Sequence, residues 1–378
     1  MQDLYRDREQ SEAKHQILRR YITPFAYKIL QTYPSLDFID GFSGPWKNND
    51  TDNLTDTSIG ISLRTLSSVA VSLGHKPGSP RIRCIFNEAD PTAYAQLHAF
   101  VARSRSEFPL VKICTFQGEF ATNAPAIKSA ADHSFQLLFV DPTGYTGFPP
   151  QSLSHFRGRS TELIVNVMRS FIERFVSGNH RDQESALIGL VGAKRAQYLK
   201  DTGLTIESLE AEYLSMLRGT LGYKFAGYSP IHNPDKNQIH FNLAYATNHP
   251  EGMEAMRNAE FRALSEHDRN RYKKTDLGCA PSLFDALDSE PEIRGPYLTA
   301  RKGHEEKAAQ VMLDILADHP RGLRFDELSA RAQQVLFLKR TELGAEIVKL
   351  AFKGAVNDPW KERKGRTPGK SDTIKLLD

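Results

Sequence analysis

Cysteine is scarce in this chain: Cys84, Cys114 and Cys279 are the only three among 378 residues. They are odd in number and far apart, and the first two fall inside apolar, strand-like runs, which predicts buried thiols. No C-x-x-C pair and no H-E-x-x-H motif occurs, so nothing has the ligand spacing of a zinc or iron–sulfur site and no metal is implied. Apolar runs stop well short of the roughly 20 residues a membrane span needs, so no membrane association is expected. Met1-Gln2-Asp3-Leu4-Tyr5-Arg6-Asp7 lacks the basic-then-apolar layout of a secretory signal and carries acids that a transit peptide avoids, which points to the cytoplasm. Internal repeats and extended low-complexity segments are absent.

What is present is ordinary for a globular protein: 40% hydrophobic, 25% charged and 10% aromatic residues. The length exceeds one typical domain, so two are expected. Net charge is +3 but uneven. Residues 301–378 hold 16 Lys and Arg against 12 Asp and Glu, leaving 33 against 34 for residues 1–300. The tail reads either as a module that meets a polyanion or as a solvated basic surface.

Spacings of three and four from Ile17 to Leu30 predict an amphipathic helix, bent at Pro24. Leu36–Asp40 then reads as a short buried strand stopped by Gly41-Phe42-Ser43-Gly44-Pro45. The alternation continues with a helix at 59–73, a strand at 82–86, a helix at 91–104, and strands at 110–116, 135–140 and 163–168. Helices near 184–198 and 205–218 precede two strands, 224–231 and 238–246, joined by the turn sequence His232 to Asn237. This predicts a parallel α/β sheet covered on both faces, closed by an antiparallel edge hairpin, with ligands beyond the C-terminal strand ends. Residues 275–301 lose periodicity and read as a linker. Helices near 305–317, 325–332 and 341–353, followed by a basic turn from Trp360 to Lys370, suggest a small winged helix-turn-helix domain. The expected division is 1–274, 275–301 and 302–378.

Chemistry concentrates at the strand ends. Gly41, Phe42, Ser43 and Gly44 would let the backbone approach a ligand closely, and Asp40 would accept from the ammonium of a methionine moiety, as in S-adenosylmethionine (SAM); the same residues also suit a tight turn with a capping Asp. Glu88 lies where nucleotide-binding α/β folds place a carboxylate for ribose hydroxyls, while Asp90 before Pro91 fits a helix cap. Gly118, Glu119 and Phe120 offer a carboxylate and an aromatic face for a purine, or a simple turn. Asp141-Pro142-Thr143-Gly144-Tyr145 resembles the Asp-Pro-Pro-Tyr motif of methyltransferases that act on amino groups of nucleic-acid bases. That resemblance implies that Asp141 accepts from the exocyclic amine, Pro142 shapes the turn and Tyr145 stacks on a flipped base. Thr143-Gly144 departs from it, replacing the second proline and moving the aromatic one place along.

Lys14-His15, Tyr33-Pro34, Phe38 to Pro45, Asp141-Pro142 and His249-Pro250-Glu251-Gly252-Met253 together resemble the three-Cys-motif partner proteins of bacteria. The resemblance implies a class I SAM methyltransferase-like domain with a winged-helix tail, encoded beside a radical-SAM-like protein that carries the three cysteines. More distantly, the chain is similar to bacterial large-subunit ribosomal RNA adenine-N6 methyltransferases, whose N-terminal helix carries a Lys-His pair near the cofactor. By that likeness Lys14 would meet the SAM carboxylate and His15 would line the pocket; a solvated Lys and a surface His are the plain alternative. In the tail, Lys361, Arg363, Lys364 and Arg366 around Gly365 would track phosphates from a wing anchored by Trp360, or form a solvated loop. The expected function is methylation of a nucleic-acid amine, with a degenerate scaffold that recruits the partner protein as the alternative.

Overall fold

The computed structural model describes residues 9–44, 50, 52–78, 80–131, 134–142, 148–176, 183–233, 238–276, 295–363, 365 and 367–377. Thr143 to Gly147, and with them Tyr145, lie outside the described residues, as do Cys279, Lys364, Arg366 and most of the expected linker. The chain divides into two compact units, residues 1–233 with 238–248, and residues 234–237 with 249–378. Among the described residues no helix is long and apolar enough to cross a membrane.

The first unit runs α1 (Glu9–Thr32), β1 (Leu36–Asp40), α2 (Ser58–Ser72), β2 (Ile82–Glu88), α3 (Pro91–Glu107), β3 (Val111–Gln117), α4 (Phe120–Ala130) and β4 (Phe135–Val140). It continues with α5 (Pro150–Ser154), β5 (Thr161–Met168), α6 (Arg169–Val176), α7 (Gln183–Val191), α8 (Ala193–Thr202), α9 (Ile206–Gly219), β6 (Phe225–His232) and β7 (Ile239–Thr247). The strands form one sheet in the order β3-β2-β1-β4-β5-β7-β6. β1 to β5 are parallel, and β7 runs antiparallel to both β5 and β6, so the expected edge hairpin is present.

Alternation along the strands sends Ile39, Ile85, Leu138 and Val165 to a core shared with α4, α5 and α7 to α9. Phe38, Cys84 and Tyr245 point to the opposite face, where α1 packs: Tyr21 meets Tyr245 edge-on at 5.4 Å and Phe25 meets Phe135 at 5.6 Å. α1 is held by polar contacts as well. The Tyr21 hydroxyl donates to buried Glu162, which also accepts from Thr247 Oγ1 at 2.7 Å. At its C-terminus the Arg81 guanidinium donates to the carbonyls of Leu30, Tyr33 and Pro34 at 2.7–2.9 Å, satisfying groups the helix leaves open. Cys84 is buried as expected, whereas Cys114 is only half-buried.

The second unit comprises α10 (Pro250–Asp276), α11 (Pro296–Ala317), β8 (Leu323–Arg324), α12 (Phe325–Gln333), α13 (Arg340–Phe352) and β9 (Thr373–Ile374), with β8 and β9 paired antiparallel. Its core joins Met312, Leu316, Phe325, Leu328, Leu343, Ile347, Trp360 and Ile374. The expected boundaries need correction. The division falls at 248/249 rather than 274, because α10 packs within the second unit: buried Arg257 donates to the Gln333 carbonyl at 2.6 and 2.9 Å, and Glu254 accepts from Gln333 Nε2 at 3.0 Å. Residues 275–301 are likewise not all linker, since α10 extends to Asp276 and α11 begins at Pro296.

Candidate functional site

The C-terminal ends of β3, β2, β1 and β4 lie side by side in the sheet, and the described candidate residues of the first unit other than those on α1 lie at or just after that edge. β1 ends at Asp40, which is fully buried. Its Oδ1 accepts from Phe42 N at 3.0 Å and its Oδ2 from the Ser58 hydroxyl at 2.6 Å, at the start of α2. Burial, opposed by these two donors, lifts the Asp40 pKa from 3.8 to about 7. This corrects the expected role: closed to solvent and doubly bonded, Asp40 folds the 41–44 turn instead of offering its carboxylate to an ammonium. The glycines do permit close approach. A β-carbon on Gly41 would stand 3.0 Å from the Phe120 ring, and one on Gly44 would stand 2.9 Å from Glu88 Cδ and nearer still to its Oε2. Ser43 is buried, its N–H donating to Asn87 O at 2.8 Å, and Phe42 is half-buried.

Glu88 is the last residue of β2 and is 7% exposed. Its Oε1 accepts from Asp90 N at 2.7 Å, and burial raises its pKa. Asp90 caps α3 through Ala93 N at 2.8 Å, with Pro91 in the first turn, as expected of it. Beside Glu88 stands Asn87, which sequence reasoning passed over. Its Nδ2 donates to the carbonyls of Gly41 at 3.2 Å and Gly118 at 3.0 Å, while its Oδ1 accepts from Asn123 Nδ2 at 2.8 Å. One buried amide thus ties together the turns after β1 and β3, and its only sequence signal is a polar residue at the end of an apolar strand.

Gly118 has φ +120°, a conformation that favours glycine, and Glu119 is exposed at the start of α4. Phe120 is a correction. It is 1% exposed and packs on Phe42 (5.7 Å between centroids) and Phe156 (5.9 Å), so it braces the 41–44 turn from the core and presents no face to a purine.

The third cluster joins α1, β4 and β5. Lys14 and His15 are both buried on α1, which corrects the picture of a solvated pair. The Lys14 ammonium forms an ion pair with Asp141 Oδ2 and lies 5.6 Å from the centre of the Phe241 ring. The other Asp141 oxygen accepts from Asn166 Nδ2, on β5, at 2.7 Å. Asn166 was also not anticipated. Pro142 is buried behind Asp141. A carboxylate carries about four acceptor positions. Lys14 and Asn166 occupy one on each oxygen, and Asp141, with 18% of its side chain exposed, keeps capacity for a further donor.

In the second unit Trp360 is 1% exposed and belongs to the core, just before the turn. Lys361 is exposed. Arg363 instead makes a two-pronged ion pair with Asp372, at 2.6 and 2.8 Å, and Asp372 also accepts from Gly369 N at 2.7 Å. Its first contribution is therefore to the shape of the turn. Among the described residues no group of three or more His, Cys, Asp or Glu is placed to hold a metal ion.

No family model and no curated protein matches the chain. Among solved structures it is similar to the crystal structure of protein LPL1258 from Legionella pneumophila str. Philadelphia 1, of family DUF519. The identity is 12% over 68% of this chain and 92% of that chain, with a TM-score of 0.38.

Proposed function

We propose that the first unit is a class I SAM-dependent methyltransferase-type domain acting on an amine of a nucleic-acid base, with adenine N6 favoured. The second unit is then a winged-helix module that helps dock the nucleic acid. The observation that carries the reading is the strand order β3-β2-β1-β4-β5-β7-β6 with a glycine turn after β1, a carboxylate ending β2 and Asp141 after β4, all on one edge. A cofactor of that chemistry fits the residues present: the Gly41 to Gly44 backbone leaves room that a side chain would fill, and Glu88 is an acceptor suited to vicinal hydroxyls. When bound, SAM would supply an electrophilic sulfonium methyl for the amine nitrogen.

The residues of the chain bind and orient. Asp141 accepts an N–H of the amine and keeps the nitrogen lone pair turned to the methyl. Asn166 and Lys14 hold the Asp141 carboxylate at two points, and the Tyr21–Glu162 contact keeps α1, and with it Lys14, on the sheet. A radical-SAM-like three-Cys-motif protein as partner follows from the resemblance, and that partner and a cytoplasmic location belong to the same proposal.

Calorimetric titration with SAM and S-adenosylhomocysteine tests it. Micromolar binding, about −8 kcal/mol, should weaken at least tenfold in Glu88→Ala and in Gly44→Ala, whose new methyl displaces the Glu88 carboxylate. Transfer of labelled methyl to DNA or RNA should vanish in Asp141→Ala. Absence of binding at millimolar concentration would sink the reading. A second reading, a scaffold that recruits its partner protein to nucleic acid without methylating, is favoured by the Lys14–Asp141 ion pair, which already engages the acid, and by Thr143-Gly144 in place of proline. An activity of the pair that survives Asp141→Ala would select it.

A further inference from the structure

β5 reads Thr-Glu-Leu-Ile-Val-Asn-Val-Met, and every residue of it up to Val167 is buried. Asn166 stands in this apolar run at 4% exposure. Alternation turns it away from the core of Leu163, Val165 and Val167 and towards the face that carries α1. Its amide is oriented by the hydrogen bond to Asp141 Oδ1, because the reversed amide would set an oxygen against a carboxylate oxygen. The other end, the carbonyl Oδ1, is shielded from solvent, and no donor among the described residues reaches it.

A buried acceptor without a donor costs roughly 1–3 kcal/mol, and a leucine of similar volume would avoid that cost. The fold itself therefore gains nothing from the carbonyl. What would satisfy it is a donor brought by a ligand, arriving next to Asp141. A group with one N–H can serve one acceptor, whereas a primary amine has a second N–H for the neighbouring oxygen.

We propose that Asn166 Oδ1 is a second acceptor at this site, so that Asp141 and Asn166 each take one N–H of a primary amine on the substrate. The inference rests on the amine-methylation reading and names its selectivity: unmethylated amines are preferred over monomethylated ones. Two acceptors on two N–H bonds also fix the plane of the amine, which a single acceptor leaves free to rotate. Asn166 is by this account a substrate-contacting residue as well as a holder of Asp141.

The test is a binding comparison on the full chain with adenosine, N6-methyladenosine and purine riboside, which carry two, one and no N–H on the exocyclic position, with and without saturating S-adenosylhomocysteine. The parent protein should bind adenosine about tenfold tighter than N6-methyladenosine, and N6-methyladenosine about tenfold tighter than purine riboside, each step the worth of one buried hydrogen bond at ~1.4 kcal/mol. Asn166→Leu should bind adenosine and N6-methyladenosine alike, with purine riboside still weaker because Asp141 keeps its one N–H, while S-adenosylhomocysteine affinity stays within about twofold of the parent. Asn166→Asp, which keeps an oxygen at the position and when protonated can still donate to Asp141, should retain the adenosine preference near pH 6. It serves as the check if the leucine variant fails to fold.

Equal binding of the three nucleosides by the parent protein, or an unchanged ranking in Asn166→Leu, overturns the inference. A fall in S-adenosylhomocysteine affinity that matches the fall for adenosine also overturns it, because the acceptor then belongs to the cofactor's ammonium. Failure of the methylation reading looks different: no methyl is transferred and no cofactor binds, whatever the nucleoside ranking. Survival of methyl transfer and its loss in Asp141→Ala, with the ranking untouched in Asn166→Leu, removes this inference alone.

Discussion

A carboxyl group withdrawn from water must find compensating donors or keep its proton. At Asp40 burial outweighs the Phe42 N–H and the Ser58 hydroxyl, with Asp141 adding to the rise, and the pKa stands at about 7 against 3.8. Between about pH 4 and pH 7 the folded chain therefore holds a proton that the unfolded chain has lost. The stability this group contributes is complete below about pH 4 and disappears as pH rises through about 7. Asp40→Asn has no proton to lose. Relative to the parent it should gain on the order of 2–4 kcal/mol between about pH 4.5 and pH 8, read from urea unfolding at both values; the same difference at both would show that Asp40 is ionised throughout. At this scale the sequence made positions legible but not depth. A strand followed by Gly-Phe-Ser-Gly located Asp40, while whether its carboxylate faced ligand or core depended on Ser58, 18 residues on. Asn87 and Asn166 were invisible because a lone amide in an apolar run has no spacing signature. Their partners, Gly118 and Asp141, are brought to them by sheet order.

Among the elements, α1 bears most directly on the site, since Lys14 sits two helical turns, about 10 Å, from the Tyr21 anchor. Tyr21→Phe removes the donor to Glu162 and the 2.8 Å contact with the Tyr245 hydroxyl while keeping the ring packed on Phe25 and Tyr245. The loss should be about 1–3 kcal/mol of unfolding free energy. It should come with faster amide exchange around Lys14; unchanged stability and exchange would mean that apolar packing alone seats the helix. β1 and β4 were legible to the residue because both are short apolar runs ended by Gly or Pro. α10 escaped notice for the opposite reason. Its buried side includes Arg257, Glu260 and Asp268, and these charges interrupt the apolar stripe that would mark a helix. They are tolerated because Glu260 pairs with Arg257, and Gln333 O and Leu298 N, far along the chain, complete the bonding of Arg257 and Asp268. A single expected helix over 184–198 proved to be α7 and α8, separated at Gly192, whose φ of +88° no helix interior admits.

For the whole molecule, moving the boundary to 248/249 changes the electrostatic argument. The second unit holds 24 Lys and Arg against 23 Asp and Glu, and the first holds 25 against 23, so the basic excess seen in residues 301–378 is almost balanced by acids between 249 and 300. Neither unit carries a large net charge, so the proposed contact with nucleic acid rests on local charge near Trp360. Within that turn Lys361 and Arg363 differ. Lys361 is exposed, whereas Arg363 is engaged by the buried Asp372 carboxylate, which also holds Gly369 N. If the turn tracks phosphates, Lys361→Ala should weaken binding to duplex DNA or RNA alike and lower the slope of log K against log salt by about 1. Arg363→Ala should behave instead like Asp372→Ala, loosening the turn and lowering the melting temperature, because either substitution leaves the same pair broken. Fluorescence anisotropy of a labelled duplex between about 50 and 200 mM salt separates the two effects. A slope that Lys361→Ala leaves unchanged would remove the turn from the interface, and an Arg363→Ala variant that melts like the parent but binds with a lower slope would assign that guanidinium to phosphate rather than to the fold.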